Sequence, residues 1–368
     1  MNDEDFESWI FDASRDPYRT VLFDMHHQGG IVRLSHLPYR DESGNYYNDW
    51  VVKGSDPELE DELNAFTGIG DVDAVQPLGT GTDWRDLNFR GYPSEWYWGD
   101  IAWPKTQFRQ IASTLIDSCR RLDGNEFRFD VLDGAQHLRR PVNTNETTNR
   151  DFSSAKSTIH RMLTWAGLPN AEYINVDQTN RDFRVGVTLN RDVIMSEMIR
   201  KITDSIGAYP RVNLQGNVEC FIPDTTGTPP VILTDADIGH PSELNLVETI
   251  PAYKYVQMNL GFNPFINGNT TPEDPRTELT GATTGQLEET RVVDTLLWRS
   301  SDVNIRIQDL KDYYKVKHDV YQVPVLRANL LQKGDFIGLD LTELTGEGII
   351  SRIRKLPMSS FSLVEVTL

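Results

Sequence analysis

The residues best equipped for chemistry in this sequence stand close together: Trp96, Tyr97, Trp98 and Trp103, with Asp100, Glu95 and Asp86 around them. Aromatic platforms flanked by paired carboxylates are how glycosidases hold and cleave sugars. The same aromatics equally suit burial in a sheet or at a subunit interface, where large rings dominate packing. In a chain with 55 acidic residues some must fall beside aromatics through composition alone, so burial in a sheet or at a subunit interface is the reading expected, with Trp96, Tyr97, Trp98 and Trp103 as the interface candidates. His26, His27 and His36 are weaker candidates as metal ligands. Adjacent histidines on a strand face opposite sides, so a surface role is expected for them. Asp71 with Asp73, and Asp235 with Asp237, lack the remaining ligands of a calcium loop. The sequence has no Gly-x-x-x-x-Gly-Lys-Ser/Thr phosphate loop, no Gly-x-Ser-x-Gly elbow and no His-Glu-x-x-His. The expectation is a structural protein with no catalytic residue, no metal and no cofactor.

Composition narrows the class further. The chain has 368 residues, 38% of them hydrophobic, which suffices for two or three domains. No run reaches the roughly 18 apolar residues of a membrane helix. The first residues, MNDEDFESWIFDAS, lack the basic and apolar regions of a secretory signal. Cys119 and Cys220 are too few for a disulfide framework and read as small buried hydrophobes, consistent with assembly in a reducing cytoplasm. The formal charge of −19 argues against sequence-independent DNA binding, which needs basic side chains to neutralise phosphates. It suits a soluble protein, or one that must not adhere to a polyanion.

The elements that position these residues begin with a short helix, Phe6 to Phe11, and a hairpin. Tyr18 to Asp24 is its first strand, Gly29 and Gly30 its turn, and IVRLS its second strand. Residues 39–81 are rich in Asp, Glu, Gly and Asn and read as long loops with one or two strands. EFRFDVLD (126–133) sets Phe127, Phe129 and Val131 against Arg128 and Asp130, as a half-buried strand should. Asp123 and Gly124 turn the chain before it. The preceding FRQIASTLIDSCRRL admits a helix by periodicity, but that turn favours a long strand. Asn143 to Arg150 is a polar linker.

The organising stretch runs from Ser153 to Phe221. Ile159, Met162, Leu163 and Ala166 fall on one stripe of a helix over 157–168, capped by Ser153 or Ser154 and ended by Gly167 and Pro169. Ile194, Met198, Ile199 and Ile202 line a second helix, capped by Asn190 or Asp192 and stopped by Gly207. FRVGV lies between them as a strand, sealed by Trp165, and a hairpin turns at Gln215, Gly216 and Asn217. Beyond this module, Tyr253 to Leu260 alternates as a strand and 268–286 reads as a flexible excursion. A helix beginning at RVVD follows, then a strand over 316–323 and a turn at Lys333, Gly334 and Asp335. Three antiparallel strands end the chain in a barrel-like run. The predicted fold class is α+β, mainly β, with β-barrel domains and an inserted helix–strand–helix–hairpin domain. Its divisions are 1–150, 151–225 and 226–368, the two flanks completing one another around the insertion.

The order of segments resembles the tail-tip and baseplate hub proteins of tailed bacteriophages. The matching stretches are WGDIAWPKTQFRQIASTLID with FRFDVLDGAQHLRRPV, the module from STIHRMLTWAGL to VNLQGNVECFIP, the strand AYKYVQMNLGFNPF, and the closing LQKGDFIGLDL with GIISRIRKL. Together they span most of residues 85–368. The resemblance implies hub barrels, an inserted helical domain and a mechanical role. Such proteins form rings, trimers for hubs and hexamers for distal tail rings, that close the tail tube and join it to spike or fibres. They open to release the tape-measure protein and DNA, which passes without specific binding. The implied location is the tip of the virion tail, and a trimeric hub is favoured. Two other classes remain as alternatives: a carbohydrate-active hydrolase or carbohydrate-binding module using the Trp96–Trp103 cluster, and an acidic binding module such as an inhibitor or adaptor.

Overall fold

A computed structural model of the chain describes every residue except 1–5, 7, 11, 53–57, 63–68, 134–137, 140, 142–148, 152, 167, 169–182, 190–192, 224, 240–243, 262–273, 283–285, 327–329 and 357–360. Its first third holds strands β1 (Arg19–His27), β2 (Gly30–Ser35), β3 (Tyr39–Arg40), β4 (Tyr46–Tyr47), β5 (Glu58–Glu62), β6 (Ile69–Val75), β7 (Pro93–Asp100), β8 (Arg109–Arg121) and β9 (Glu126–Asp133). The middle holds β10 (Asn149–Asp151), helix α1 (Ala155–Trp165), β11 (Val187–Leu189), helix α2 (Met195–Ile206) and the hairpin strands β12 (Tyr209–Val212) and β13 (Val218–Phe221). After these come β14 (Val231–Thr234), β15 (Asn245–Ile250), β16 (Ala252–Asn259), β17 (Arg276–Leu279), β18 (Gln286–Asp294) and helix α3 (Ser300–Tyr314). The chain ends with β19 (His318–Leu326), β20 (Phe336–Asp340), β21 (Thr345–Lys355) and β22 (Phe361–Thr367).

The fold is α+β and mainly β. Its main sheet has 13 strands and runs β15-β19-β22-β21-β5-β6-β9-β8-β7-β1-β2, with β14 and β20 branching from β21, and it curls as a half-barrel. Strands from the two ends of the sequence therefore lie in one sheet, joined where β5 pairs with β21 (Leu59 opposite Lys355). Strand β21 changes neighbour along its length. Thr345 to Ile349 pairs with β20, and Arg352 to Lys355 pairs with β5. Between them the β21–β22 register shifts at Ile350/Arg352, a bulge that bends the strand at the changeover.

Each half of the sheet has its own core. Phe23, Val72, Trp84, Phe89, Trp96, Ile116, Phe127, Phe129 and Val131 pack together on the N-terminal strands. Val323, Ile337, Leu339, Ile350, Ile353, Val364 and Val366 do so on the C-terminal strands. The alternation read in EFRFDVLD thus matches the buried face of β9, and β8 is the long strand expected.

A third core holds the helices. Ile159, Met162 and Leu163 of α1 meet Met195, Met198, Ile199, Ile202 and Ile206 of α2, and the same cluster takes in Val256, Met258, Leu297, Val303, Ile307 and Leu310. Residues from both 151–225 and 226–368 therefore share one apolar centre. Ser154 caps α1, its hydroxyl accepting from the Ser157 N–H at 3.3 Å. Gly207 ends α2 at φ 73°, as expected for a left-handed stop. The α2 start differs from expectation: Ile194 sits at the cap position with no side-chain cap bond and is only half-buried, so the stripe begins at Met195. Asn190 and Asp192 lie outside the described residues, as does most of the linker at 143–150. Trp165 is half-buried at the rim of this core with Arg161 over its ring at 6.0 Å, so it is a flank of the helix contact rather than its seal.

Ile69–Val75, paired along its length with β9, is one of the strands expected among the loops of 39–81. Two further segments depart from the sequence reading. Arg276–Leu279 is a strand against β16, although it lies in the stretch read as flexible. Gln286–Asp294 runs parallel to β16, so RVVD is strand, and the helix begins only at Ser300. In each case a partner strand supplies the backbone bonds that local propensity does not indicate.

Candidate functional site

Strand β7 sorts the candidate cluster onto two faces. Side chains alternate along a strand, so Trp96, Trp98 and Asp100 point one way and Glu95 and Tyr97 the other. Trp96 is 0% and Trp98 3% exposed. Trp96 packs edge-on against Phe23 at 5.2 Å and donates its indole N–H to Ser94 Oγ at 2.8 Å. Trp98 meets Trp9 at 5.1 Å and Phe6 at 5.8 Å, both from the N-terminal segment. Trp103 is half-buried and lies 4.5 Å from Trp9. Trp96 and Trp98 thus fill this chain's own core, and neither is presented to a sugar or to a partner.

Asp100 is 0% exposed, and its oxygens are occupied. Oδ2 accepts from Trp9 Nε1 at 3.0 Å and from Arg15 Nε and Nη2 at 2.8 and 2.6 Å, while Oδ1 accepts from the Ala102 N–H at 2.9 Å. Arg19 completes this staple by donating to the Ile10 and Asp12 carbonyls, its guanidinium 4.9 Å from the Trp9 ring. A carboxylate with four donors is an anchor for the N-terminal segment, not a free acid or base. Asp86 is exposed in the 3-10 turn Trp84–Asp86 and takes no part in it.

The opposite face of β7 carries a polar cluster that the sequence reading missed. Asp24 of β1, facing Glu95 in register, accepts from Tyr47 OH at 2.8 Å and from Lys105 Nζ at 2.5 Å, with Arg33 at 3.6 Å. Lys105 Nζ also lies 4.6 Å from the Tyr97 ring and 5.1 Å from that of Tyr47. Burial, followed by the Asp24 charge, drives the Tyr47 hydroxyl far above its ordinary range, and burial with the bond to Glu95 does the same for Tyr97. Burial and the Glu42 and Asp41 charges push Tyr39 up to about 12. These phenols stay neutral donors, and Asp24 faces two cations, Lys105 and Arg33. The available signal was Asp24 itself, a charge that closes the apolar run Val21-Leu22-Phe23.

The remaining candidates are local fasteners. His27 Nδ1 accepts from the Gly29 N–H at 3.1 Å, and burial lowers the imidazole's pKa; His26 Nε2 stands 3.9 Å from Glu95. Asp71 and Asp73 share Arg128, at 3.3 and 2.7 Å. Asp235 accepts from the Thr342 N–H at 3.0 Å, and Asp237 from the Thr234 N–H at 2.7 Å. Among the described residues no three His, Cys, Asp or Glu side chains converge on a point that could hold a metal.

By sequence, no family model and no curated protein matches the chain. Solved structures do. The tail protein from Neisseria meningitidis MC58 superposes at TM-score 0.58 with 12% identity, covering 95% of this chain and 96% of that one. The prophage tail protein gp18 from Listeria monocytogenes EGD-e gives 0.58 at 10% identity, over 95% and 94%. The 43 kDa tail protein of prophage MuSo2 from Shewanella oneidensis gives 0.55 at 10%, over 95% and 97%. The chain has, over nearly its whole length, the fold of these tail proteins.

Proposed function

We propose that this protein is a structural component of a phage-type tail tip or baseplate, a hub that closes the tail tube and carries spike or fibre proteins. The observation that carries this reading is the end-to-end fold likeness to three tail proteins, with coverage of at least 94% on either side. The geometry of the former catalytic candidates supports it. Trp96 and Trp98 are core, and Asp100 is bonded to saturation. In this reading the protein turns over no substrate. The 13-stranded sheet drawn from the two flanks forms the hub body, and 151–225, with β16, β18 and α3 packed on its core, makes up the inserted domain. Copies assemble in the host cytoplasm into a ring, a trimer being favoured over a hexamer, that becomes part of the virion tail. Of the aromatic cluster, only Tyr97 and Trp103 keep exposed surface, so any partner contact there falls to these two.

The net charge of −19 fits a channel for DNA. Acidic walls repel phosphates, whereas basic walls would hold the polymer through counterion release. Because screening acts over about 8 Å at physiological salt, only side chains near the path matter, and the ring's inner surface should be poorer in Lys and Arg than its outer surface. The deciding experiment is native mass spectrometry of the purified protein with electron microscopy of intact particles. A ring at the tail tip is expected. A strictly monomeric protein absent from particles, or a lumen lined by Lys and Arg, would overturn the corresponding part of the reading.

A further inference from the structure

The joint between the two halves of the main sheet is spanned by the β12–β13 hairpin. Strand β21 changes partner at Ile350, and the turn over 332–335 sits on that residue: the Gly334 N–H donates to the Ile350 carbonyl at 2.8 Å, and the Ile350 N–H to the Asp335 carbonyl at 3.0 Å. The hairpin grips this turn from the other side. Arg211 Nη1 donates to the Lys333 carbonyl and to Asp335 Oδ1, both at 3.1 Å, while its Nε donates to Glu219 Oε2 at 2.8 Å. The Phe221 ring lies so close to Gly334 that a Cβ there would stand 2.0 Å from it, and the Arg211 guanidinium sits 4.4 Å from the same ring.

The hairpin's tip reaches the other half of the sheet. A Cβ at Gly216 would fall 2.7 Å from Ser113 Oγ, on β8. The tip is stiff because Asn213 Oδ1 accepts from the Gln215 and Asn217 N–H groups at 3.0 and 2.9 Å, and Gly216 takes φ 82°. Within one short ribbon, then, the base is bonded to the C-terminal half beside a bulged strand and the tip abuts the N-terminal half.

We propose that the Tyr209–Phe221 hairpin is a brace that fixes the angle between the two halves of the sheet, and that releasing it lets them hinge at Ile350–Arg352. The hairpin itself is anchored by Val218 and Cys220 in the helical core, but its hold on the 332–335 turn rests on a few polar bonds and the Phe221 contact, and such a contact opens at lower free energy than the sheets it joins; the bulge is a natural place for the strand to bend. Arg211 is the key to the brace, since it holds the turn, its own hairpin partner and the Phe221 ring together. Burial keeps Asp335 above the ordinary carboxyl range against the pull of Gln332 and Arg211, so this contact is made at the expense of desolvation. The inference stands on the chain's own geometry and does not depend on its place in a tail.

The test uses the full chain with spin labels at two exposed positions, Leu122→Cys beyond β8 and Ile232→Cys on β14, in a Cys119→Ser background that leaves the buried Cys220 in place. The distance distribution should be narrow for the parent and broaden into a second population for Arg211→Ala. Amide exchange at Gly334 and Ile350 should quicken at least about tenfold, as loss of charge-assisted bonds implies, with β1–β7 amides unchanged. Lys254→Ala, which removes the surface pair with Glu288, should change neither. A folded Arg211→Ala with the parent's distances and exchange rates would refute the brace. If that variant does not fold, exchange in the unsubstituted chain decides. Hairpin amides, Gly334 and Ile350 should open together below the global unfolding free energy, and opening only with the whole sheet would sink the proposal.

Discussion

Replacing Asp100 by Asn separates an anchor from a catalytic acid. The side chain keeps its shape, and its remaining carbonyl oxygen can still accept from the Ala102 N–H. What changes is the edge facing Trp9 Nε1 and Arg15, which becomes an NH2 pointed at three donors. A buried donor left without an acceptor costs about 1–3 kcal/mol. Arg15 is about one-third exposed, so water compensates it and its lost ion pair adds only about 0.5–1 kcal/mol. The expected loss is therefore about 1.5–4 kcal/mol, concentrated in the N-terminal segment that Asp100 holds to the sheet. Denaturant unfolding followed by tryptophan fluorescence measures it, because Trp9, Trp98 and Trp103 form one contact group. Limited proteolysis should show residues 6–18 becoming cleavable first. Asp86→Asn, at an exposed position, should stay within about 0.5 kcal/mol and serves as the control. Equal small effects from both substitutions would refute the anchor. Glycan cleavage abolished by Asp100→Asn would point back to a catalytic carboxylate.

Trp165→Ala should cost about 1–2 kcal/mol in thermal unfolding because the ring is only half-buried, whereas Ile159→Ala, fully buried, should cost about 2–4. Gly124→Ala meets nothing within 4 Å and should cost about 1 kcal/mol for its φ of 51° alone. Gly334→Ala adds a collision with Phe221 to a φ of 83° and should cost at least about 3 kcal/mol by the same measurement. Burial pushes the thiols of Cys119 and Cys220 up to about 12, so the native protein should react with a thiol reagent at pH 8 far more slowly than after unfolding. For these thiols and for Tyr39 the folded pKa lies above the unfolded one. Their contribution is intact below pH about 9–10 and is lost as pH rises toward 12, so stability should fall over that alkaline window, as circular dichroism against pH would show.

Much of the local structure was legible in the sequence because its signals are short-range. A stripe at i, i+3, i+4 placed Ile159, Met162 and Leu163 in a helix contact, and period-two alternation placed Phe127, Phe129 and Val131 inside. Glycines at φ 73°, 82° and 83° ended a helix and turned two connections where Gly207, Gly216 and Gly334 were expected to do so. The order of these segments also carried the likeness to tail proteins, through a pattern that survives at about 10–12% identity.

What only the tertiary structure decided depends on residues far apart in the chain. The acidic 58–62 stretch carries no apolar alternation, yet it joins the two halves of the sheet by pairing with β21, and such a pairing is specified by closure of the whole sheet. Strands β17 and β18 exist because β16 offers them two edges, which no window of their own composition reveals. The aromatic cluster is the clearest case. Sequence placed Trp96, Tyr97, Trp98 and Asp100 side by side, but the pleat sent them to opposite faces, and the arrival of Phe6, Trp9 and Arg15 turned one face into sealed core.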